Sequence, residues 1–181
     1  LNRFYIVSKP LNNYTQTHSI TEIARWCVAI TNFCTYRFIS IFVKVDVAVF
    51  DLPGSHSKNA QHTCITGSFK EDELPKGYDV ISLVRILYDH RDKTIESLLG
   101  KVHRALGSGG RLIVSEPMLG PDRPSIWGDV YFAIYTLAMR TGKTRSPNQV
   151  SDLIKAAGFV DIKIHKSRRP FITTVIEARK S

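Results

Sequence analysis

Glycine is absent from the start of this chain until Gly54. That rules out a glycine-rich ligand loop in the opening stretch, because only a residue without Cβ lets the backbone approach a bound group closely. Acidic residues are almost as scarce there, with Glu22 alone before Asp46. Cysteine is limited to Cys27, Cys34 and Cys64. The odd count and the lack of CxxC spacing argue against a disulfide framework and a metal site, and predict ordinary buried thiols in a reducing compartment. Long apolar runs are missing too. Residues 26–43 come nearest, but Asn32, Arg37 and several threonines interrupt them, which falls short of a spanning helix. Without a charged-apolar-small leader at the start, the expected location is the cytoplasm.

What is present is a globular composition. Of 181 residues, 43% are hydrophobic and 23% charged, enough for one domain with a full core and without the bias of disordered or coiled-coil chains. The formal charge is +9, which favours anionic partners. The basic residues are nevertheless dispersed, and the densest group is Lys163, Lys166, Arg168 and Arg169. Neither a basic helix nor an alternation of arginine with aromatics occurs, so a dedicated nucleic-acid binder is not expected. A solvated basic surface that favours peripheral contact with an anionic membrane fits better.

Strand and helix signals alternate from about Asp46 onward. Residues 45–50 form a β-branched run stopped by Asp51-Leu52-Pro53-Gly54, residues 64–66 a second short one, and residues 79–84 a nearly continuous apolar strand of the doubly buried kind. Ile95, Leu98, Leu99, Val102 and Leu106 share one helical face. The Gly107-Ser108-Gly109-Gly110 that follows lies after a helix and before the strand at 111–115, the reverse of a phosphate loop, and reads as a turn. Residues 127–139 form an aromatic-rich helical segment. Ser146-Pro147-Asn148-Gln149 opens another helix with a cap, a first-turn proline and a capping-box glutamine, and Gly158 stops it. Two strands at 160–164 and 171–178 close the chain as an antiparallel pair. This pattern predicts a doubly wound α/β sheet, mostly parallel, ending in a hairpin. Residues 46–181 make the predicted catalytic domain, and residues 1–45, without clear periodicity, a separate atypical segment.

Ligands of such sheets gather beyond the carboxyl ends of the strands. The polar residues there are Asp51; Ser68 with Phe69; Arg85, Tyr88, Asp89 and His90; and Glu116. Each alone also reads as something ordinary: a turn cap, a loop histidine, half of a surface ion pair. Their recurrence at four successive strand ends is the stronger signal.

The strings Phe50-Asp51-Leu52-Pro53, then residues 79–90 (DVISLVRILYDH), then residues 109–117 (GGRLIVSEP) resemble class I S-adenosylmethionine-dependent O-methyltransferases. Residues 128–139 (GDVYFAIYTLAM) and Ala156-Ala157-Gly158-Phe159 are similar to its carotenoid-pathway branch. The likeness covers roughly residues 48–180. It implies a Rossmann-like sheet, S-adenosylmethionine as cofactor and an apolar hydroxylated acceptor, a carotenoid or another hydroxylated small molecule. It also implies that Asp51 holds the ribose, that Gly67-Ser68-Phe69 line the adenine, that Arg85 sits beside the cofactor, and that Glu116 orients the base. Alignment puts the base at Tyr88, whereas side-chain chemistry favours His90; both stay open. Phe132, Tyr135 and Met139 are expected either to wall the acceptor tunnel or to serve simply as core. Two departures accompany the resemblance. Counting back from Asp51, the family's glycine loop falls at Val28-Ala29-Ile30-Thr31-Asn32, which holds no glycine, and the helical domain through which intact relatives form homodimers has no counterpart. Residues 1–45 therefore read as truncated or frame-disturbed, and a chain inactive despite its lineage is the alternative expectation.

Overall fold

The structure, a computed structural model, describes residues 3–10, 45–53, 63–120, 129–138, 140–165 and 173–181. Seven strands form one sheet: β1 (Arg3–Pro10), β2 (Val45–Asp51), β3 (Thr63–Thr66), β4 (Val80–Val84), β5 (Arg111–Glu116), β6 (Phe159–His165) and β7 (Thr174–Lys180), in the order β3-β2-β1-β4-β5-β7-β6. β2 pairs with β3 and β4 with β5 in parallel, whereas β7 runs against β5 and β6. β1 runs against both β2 and β4. Five of these strands therefore point one way, and β1 and β7 oppose them.

β1 is the departure from the sequence reading, which found no periodicity before residue 45. Its register pairs Phe4 with Phe50 on one side and with Leu83 on the other. Hence the amino end of β1 lies at the rim where β2 and β4 finish, and a segment assigned to a separate unit completes the centre of the sheet. The glycine-free Val28–Asn32 stretch, Cys27 and Cys34 lie outside the described residues. Cys64 is exposed, not buried as expected, because β3 is an edge strand.

The sheet core follows from composition. In β4, Ile81, Leu83 and Val84 are all buried, as are Leu112, Ile113 and Val114 of β5, so these central strands are covered on both faces. Helix α1 (Asp92–Ala105) buries Ile95, Leu98, Leu99 and Val102, each contributing about 1.5–3 kcal/mol of apolar burial. Asp92 in its first turn and Arg104 in its last complement the helix dipole. The glycine-rich stretch after α1 is a turn, with Gly109 at φ +76 and Gly110 N–H donating to the Gly107 carbonyl at 3.0 Å.

Helix α2 (Tyr131–Ala138) falls within the predicted 127–139, whose end residues Trp127 and Met139 lie outside the described residues. Helix α3 (Pro147–Ala156) begins with the complete capping box: Gln149 N–H donates to Ser146 Oγ at 3.3 Å, and Ser146 N–H to Gln149 Oε1 at 2.9 Å. It packs on α1, β6 and β7.

Candidate active site

Because β2, β3, β4 and β5 point the same way, their carboxyl ends share one rim, and every predicted site residue is on it or just beyond it. Asp51 is the last residue of β2, nearly buried, with its Oδ1 accepting the Leu52 N–H at 2.8 Å. Its carbonyl takes the Gly67 N–H at 3.0 Å, which ties the ends of β2 and β3 together. A Cβ on Gly67 would lie 2.5 Å from the Phe50 ring, so the approach of the two strands requires glycine.

Ser68 starts a turn. Its N–H donates to Asp72 Oδ2 at 2.8 Å, and its carbonyl accepts from Glu71 and Asp72. Behind the turn, buried Lys101 of α1 donates from Nζ to the carbonyls of Phe69 (2.9 Å), Lys70 (3.3 Å) and Asp72 (2.7 Å). Sequence reasoning passed over Lys101. The available signal was its position three residues after Leu98, which turns a lysine toward the buried face.

Beyond β4, Arg85 adopts a left-handed backbone at φ +55, a strained conformation for a residue with a side chain, and its Nε is buried without a hydrogen-bond partner. Its N–H is held by the Ser115 carbonyl at 3.0 Å. A 3₁₀ turn follows at Leu87–Asp89. Tyr88 points toward α2, its ring 6.1 Å from that of Phe132 and 5.7 Å from that of Tyr135. His90 points elsewhere, its ring centroid 5.2 Å from that of Phe69, with Nε2 buried and without a hydrogen-bond partner. Of the three expected wall residues, Phe132 and Tyr135 therefore meet a candidate base directly.

Glu116 is fully buried at the end of β5 and is no part of a surface ion pair. Its Oε1 accepts the N–H groups of Ile86 at 2.6 Å and Leu87 at 2.9 Å, and Oε2 has no hydrogen-bond partner. It reaches the turn that carries Tyr88 and His90 through backbone amides, not through either ring.

The environment separates the two candidate bases. Burial lowers the His90 imidazole below its ordinary value, and the positive charges of Lys70 and Arg145 add to this, so the ring is neutral at pH 7. Burial raises the Tyr88 hydroxyl well above its ordinary value, with Asp89 and a hydrogen bond to Tyr135 reinforcing the shift. Tyr88 therefore stays protonated. Burial also pushes the Glu116 carboxyl up to about 8, against the opposing pull of the backbone amides.

A doubly wound sheet whose strand ends carry a neutral buried imidazole and a desolvated carboxyl has the kind of rim at which α/β folds take up small molecules. The chain matches the O-methyltransferase domain over residues 32–160 and belongs to that family. It is 46% identical over 144 residues to the demethylspheroidene O-methyltransferase of Rhodobacter capsulatus, a match covering 77% of this chain and 37% of that protein. With the same enzyme of Cereibacter sphaeroides it shares 48% identity over 112 residues, 62% of this chain and 30% of that one. The chain thus spans about a third of the length of these two relatives. Among solved structures, human N-acetylserotonin methyltransferase in complex with SAM superposes with a TM-score of 0.68 at 28% identity, covering 79% of this chain and 43% of that one. PigF with SAH gives 0.61 at 26% identity, covering 74% and 43%. Among the described residues, no helix is long and apolar enough to cross a membrane.

Proposed function

We propose that this chain forms the catalytic part of an S-adenosylmethionine-dependent O-methyltransferase whose acceptor is a hydroxylated carotenoid of the demethylspheroidene or hydroxyneurosporene type. The observation that carries this reading is the contact between Phe69 and His90. It puts the expected adenine wall and a neutral base against each other at one rim. The rim suits the cofactor. Asp51 would take the ribose hydroxyls, Gly67-Ser68-Phe69 the adenine, and the partnerless Arg85 Nε is a donor facing no acceptor of the protein.

When bound, the cofactor supplies an activated sulfonium methyl group. The protein's own work is to hold donor and hydroxyl in line, exclude water and accept one proton. Neutral His90 is the side chain able to accept it, because Tyr88 keeps its own proton at this pH. Tyr88, Phe132 and Tyr135 line an apolar approach suited to a carotenoid end group. Peripheral contact with an anionic membrane belongs to the same proposal. The membrane contact is supported by the charge of +9 and by Tyr131, Ile134 and Leu137, exposed on the outer face of α2.

The reversed β1 favours a second reading. It enters the rim by its amino end, so among the described residues no strand-to-glycine-loop turn forms there, and a chain of this lineage that binds no cofactor would have this arrangement. Calorimetric titration with S-adenosylhomocysteine separates the two. Micromolar affinity, lost in Asp51→Ala, supports the enzyme, and detection of the carotenoid methyl ether by mass spectrometry completes the case. No heat at millimolar ligand supports the second reading.

A further inference from the structure

The turn that carries Tyr88 and His90 is braced along its whole length by one segment, Thr141 to Arg145. Each of its four successive carbonyls accepts a hydrogen bond from that segment. The Leu87 carbonyl accepts from Arg145 Nη1 at 3.0 Å, that of Tyr88 from the Lys143 N–H at 2.9 Å, that of Asp89 from Thr141 Oγ1 at 2.9 Å, and that of His90 from Arg145 Nη2 at 2.8 Å. Gly142 makes the approach possible, since a Cβ there would lie 2.8 Å from the Tyr88 carbonyl oxygen.

Arg145 is the centre of the brace. It is buried, at 3% exposure, and each of its five N–H donors has one acceptor. Besides the two turn carbonyls, Nη1 donates to the Lys143 carbonyl at 2.9 Å, while Nε (2.9 Å) and Nη2 (2.6 Å) both reach Asp92 Oδ1. Asp92 begins α1, and its other oxygen takes Lys143 Nζ at 2.5 Å. The fork thus spans the turn, the brace and the start of the next helix. Glu116 grips the amides of the same turn, and a void of about 10 Å³ is bordered by both Glu116 and Arg145.

We propose that Arg145 is a positioning residue for methyl transfer: its rigid fork holds the carbonyls of Leu87 and His90 on either side of Tyr88 and Asp89, so that Tyr88 is presented to the acceptor wall and His90 to Phe69. The inference rests on the function proposed above. A buried arginine is costly to desolvate, and an apolar side chain would fill the space more cheaply if only stability were at stake. The geometry needs the planar fork, because a lysine carries its charge at one point and cannot reach Leu87, His90 and Asp92 together.

The test compares Arg145→Met, Arg145→Lys and Asp92→Asn in the full chain. It measures kcat and KM for the carotenoid acceptor, S-adenosylhomocysteine affinity, the His90 imidazole titration by NMR and amide exchange over residues 86–90. We expect kcat to fall by ~10-fold or more in Arg145→Met and Arg145→Lys, as for a misplaced reacting group. Cofactor affinity stays unchanged, exchange over the turn accelerates, and the His90 titration moves to higher pH in Arg145→Met. Should Arg145→Met fail to fold, Asp92→Asn gives a smaller effect of the same sign. Wild-type behaviour of Arg145→Lys in kcat and exchange would overturn the proposal, leaving Arg145 as a counter-charge for Asp92. If the wild-type chain transfers no methyl group, the proposed function fails, whereas exchange and the His90 titration still decide whether Arg145 positions the turn.

Discussion

The rings of Phe69 and His90 lie 5.2 Å apart and are inclined at 58°, although the residues are 21 positions apart in sequence. Phe69 is held from behind by Lys101 and His90 from behind by Arg145. A buried cation on each side fixes the backbone that presents the ring, and the two rings meet where the strands end.

The pH dependence of turnover should identify the base. His90 is held neutral by burial, so kcat/KM should stay level down to the ordinary histidine range and fall only below it. His90→Gln should lose about 10²–10⁴-fold in kcat. Tyr88→Phe keeps the ring against Phe132 and Tyr135 and should cost far less. A loss in Tyr88→Phe equal to that in His90→Gln would mean that the tyrosine takes the proton.

Glu116 should make the protein less stable as pH rises. Burial raises its carboxyl from 4.5 to about 8 in the folded chain. Between those values the folded state keeps a proton that the unfolded state has released, so stability is greatest below the window and is lost through it. Glu116→Gln keeps an oxygen for Ile86 and Leu87 and has no proton to lose. Its Tm relative to wild type should therefore rise from pH 5 to pH 8. Parallel curves for the two proteins would show that Glu116 does not titrate in this range.

Gly67→Ala should weaken both the fold and the rim. The added methyl meets the Phe50 ring at 2.5 Å, and overpacking of this kind costs about 1–3 kcal/mol. Because Gly67 N–H anchors the Asp51 carbonyl, cofactor affinity should fall along with Tm. Urea denaturation and calorimetry on one preparation check both effects, and unaltered affinity would show that the two strand ends move independently.

Arg85→Gly should separate stability from binding. Glycine relieves the left-handed strain at φ +55, worth about 1 kcal/mol, while removing a side chain whose buried Nε has no hydrogen-bond partner in the protein. The variant should melt higher and bind S-adenosylhomocysteine more weakly. Higher stability with unchanged affinity would take Arg85 out of the site.

Much of this arrangement was legible in the residues. The β-formers of β2, β4 and β5, the apolar stripe of α1 and the capping box of α3 are local patterns, and each element formed within a few residues of its predicted place. The rim residues were legible for the same reason, since a polar residue directly after a buried strand has one place to go. β1 was not, because eight residues without alternation become a strand only where a gap between β2 and β4 supplies hydrogen-bond partners on both sides. Its reversed direction was equally hidden, as pairing direction leaves no mark in composition.

By itself the sequence determined the sheet class, the order of its elements from β2 onward and the set of polar groups at the strand ends, because periodicity and turn chemistry act over a few residues. Only the tertiary structure decided what those groups do to one another. Tyr88 and His90 are two residues apart, yet one is desolvated against α2 and the other against Phe69. Glu116 acts on backbone amides, and Arg145, far along the chain, closes the turn from the other side. Burial and hydrogen-bond geometry set those roles, and both are properties of packing between segments distant in sequence.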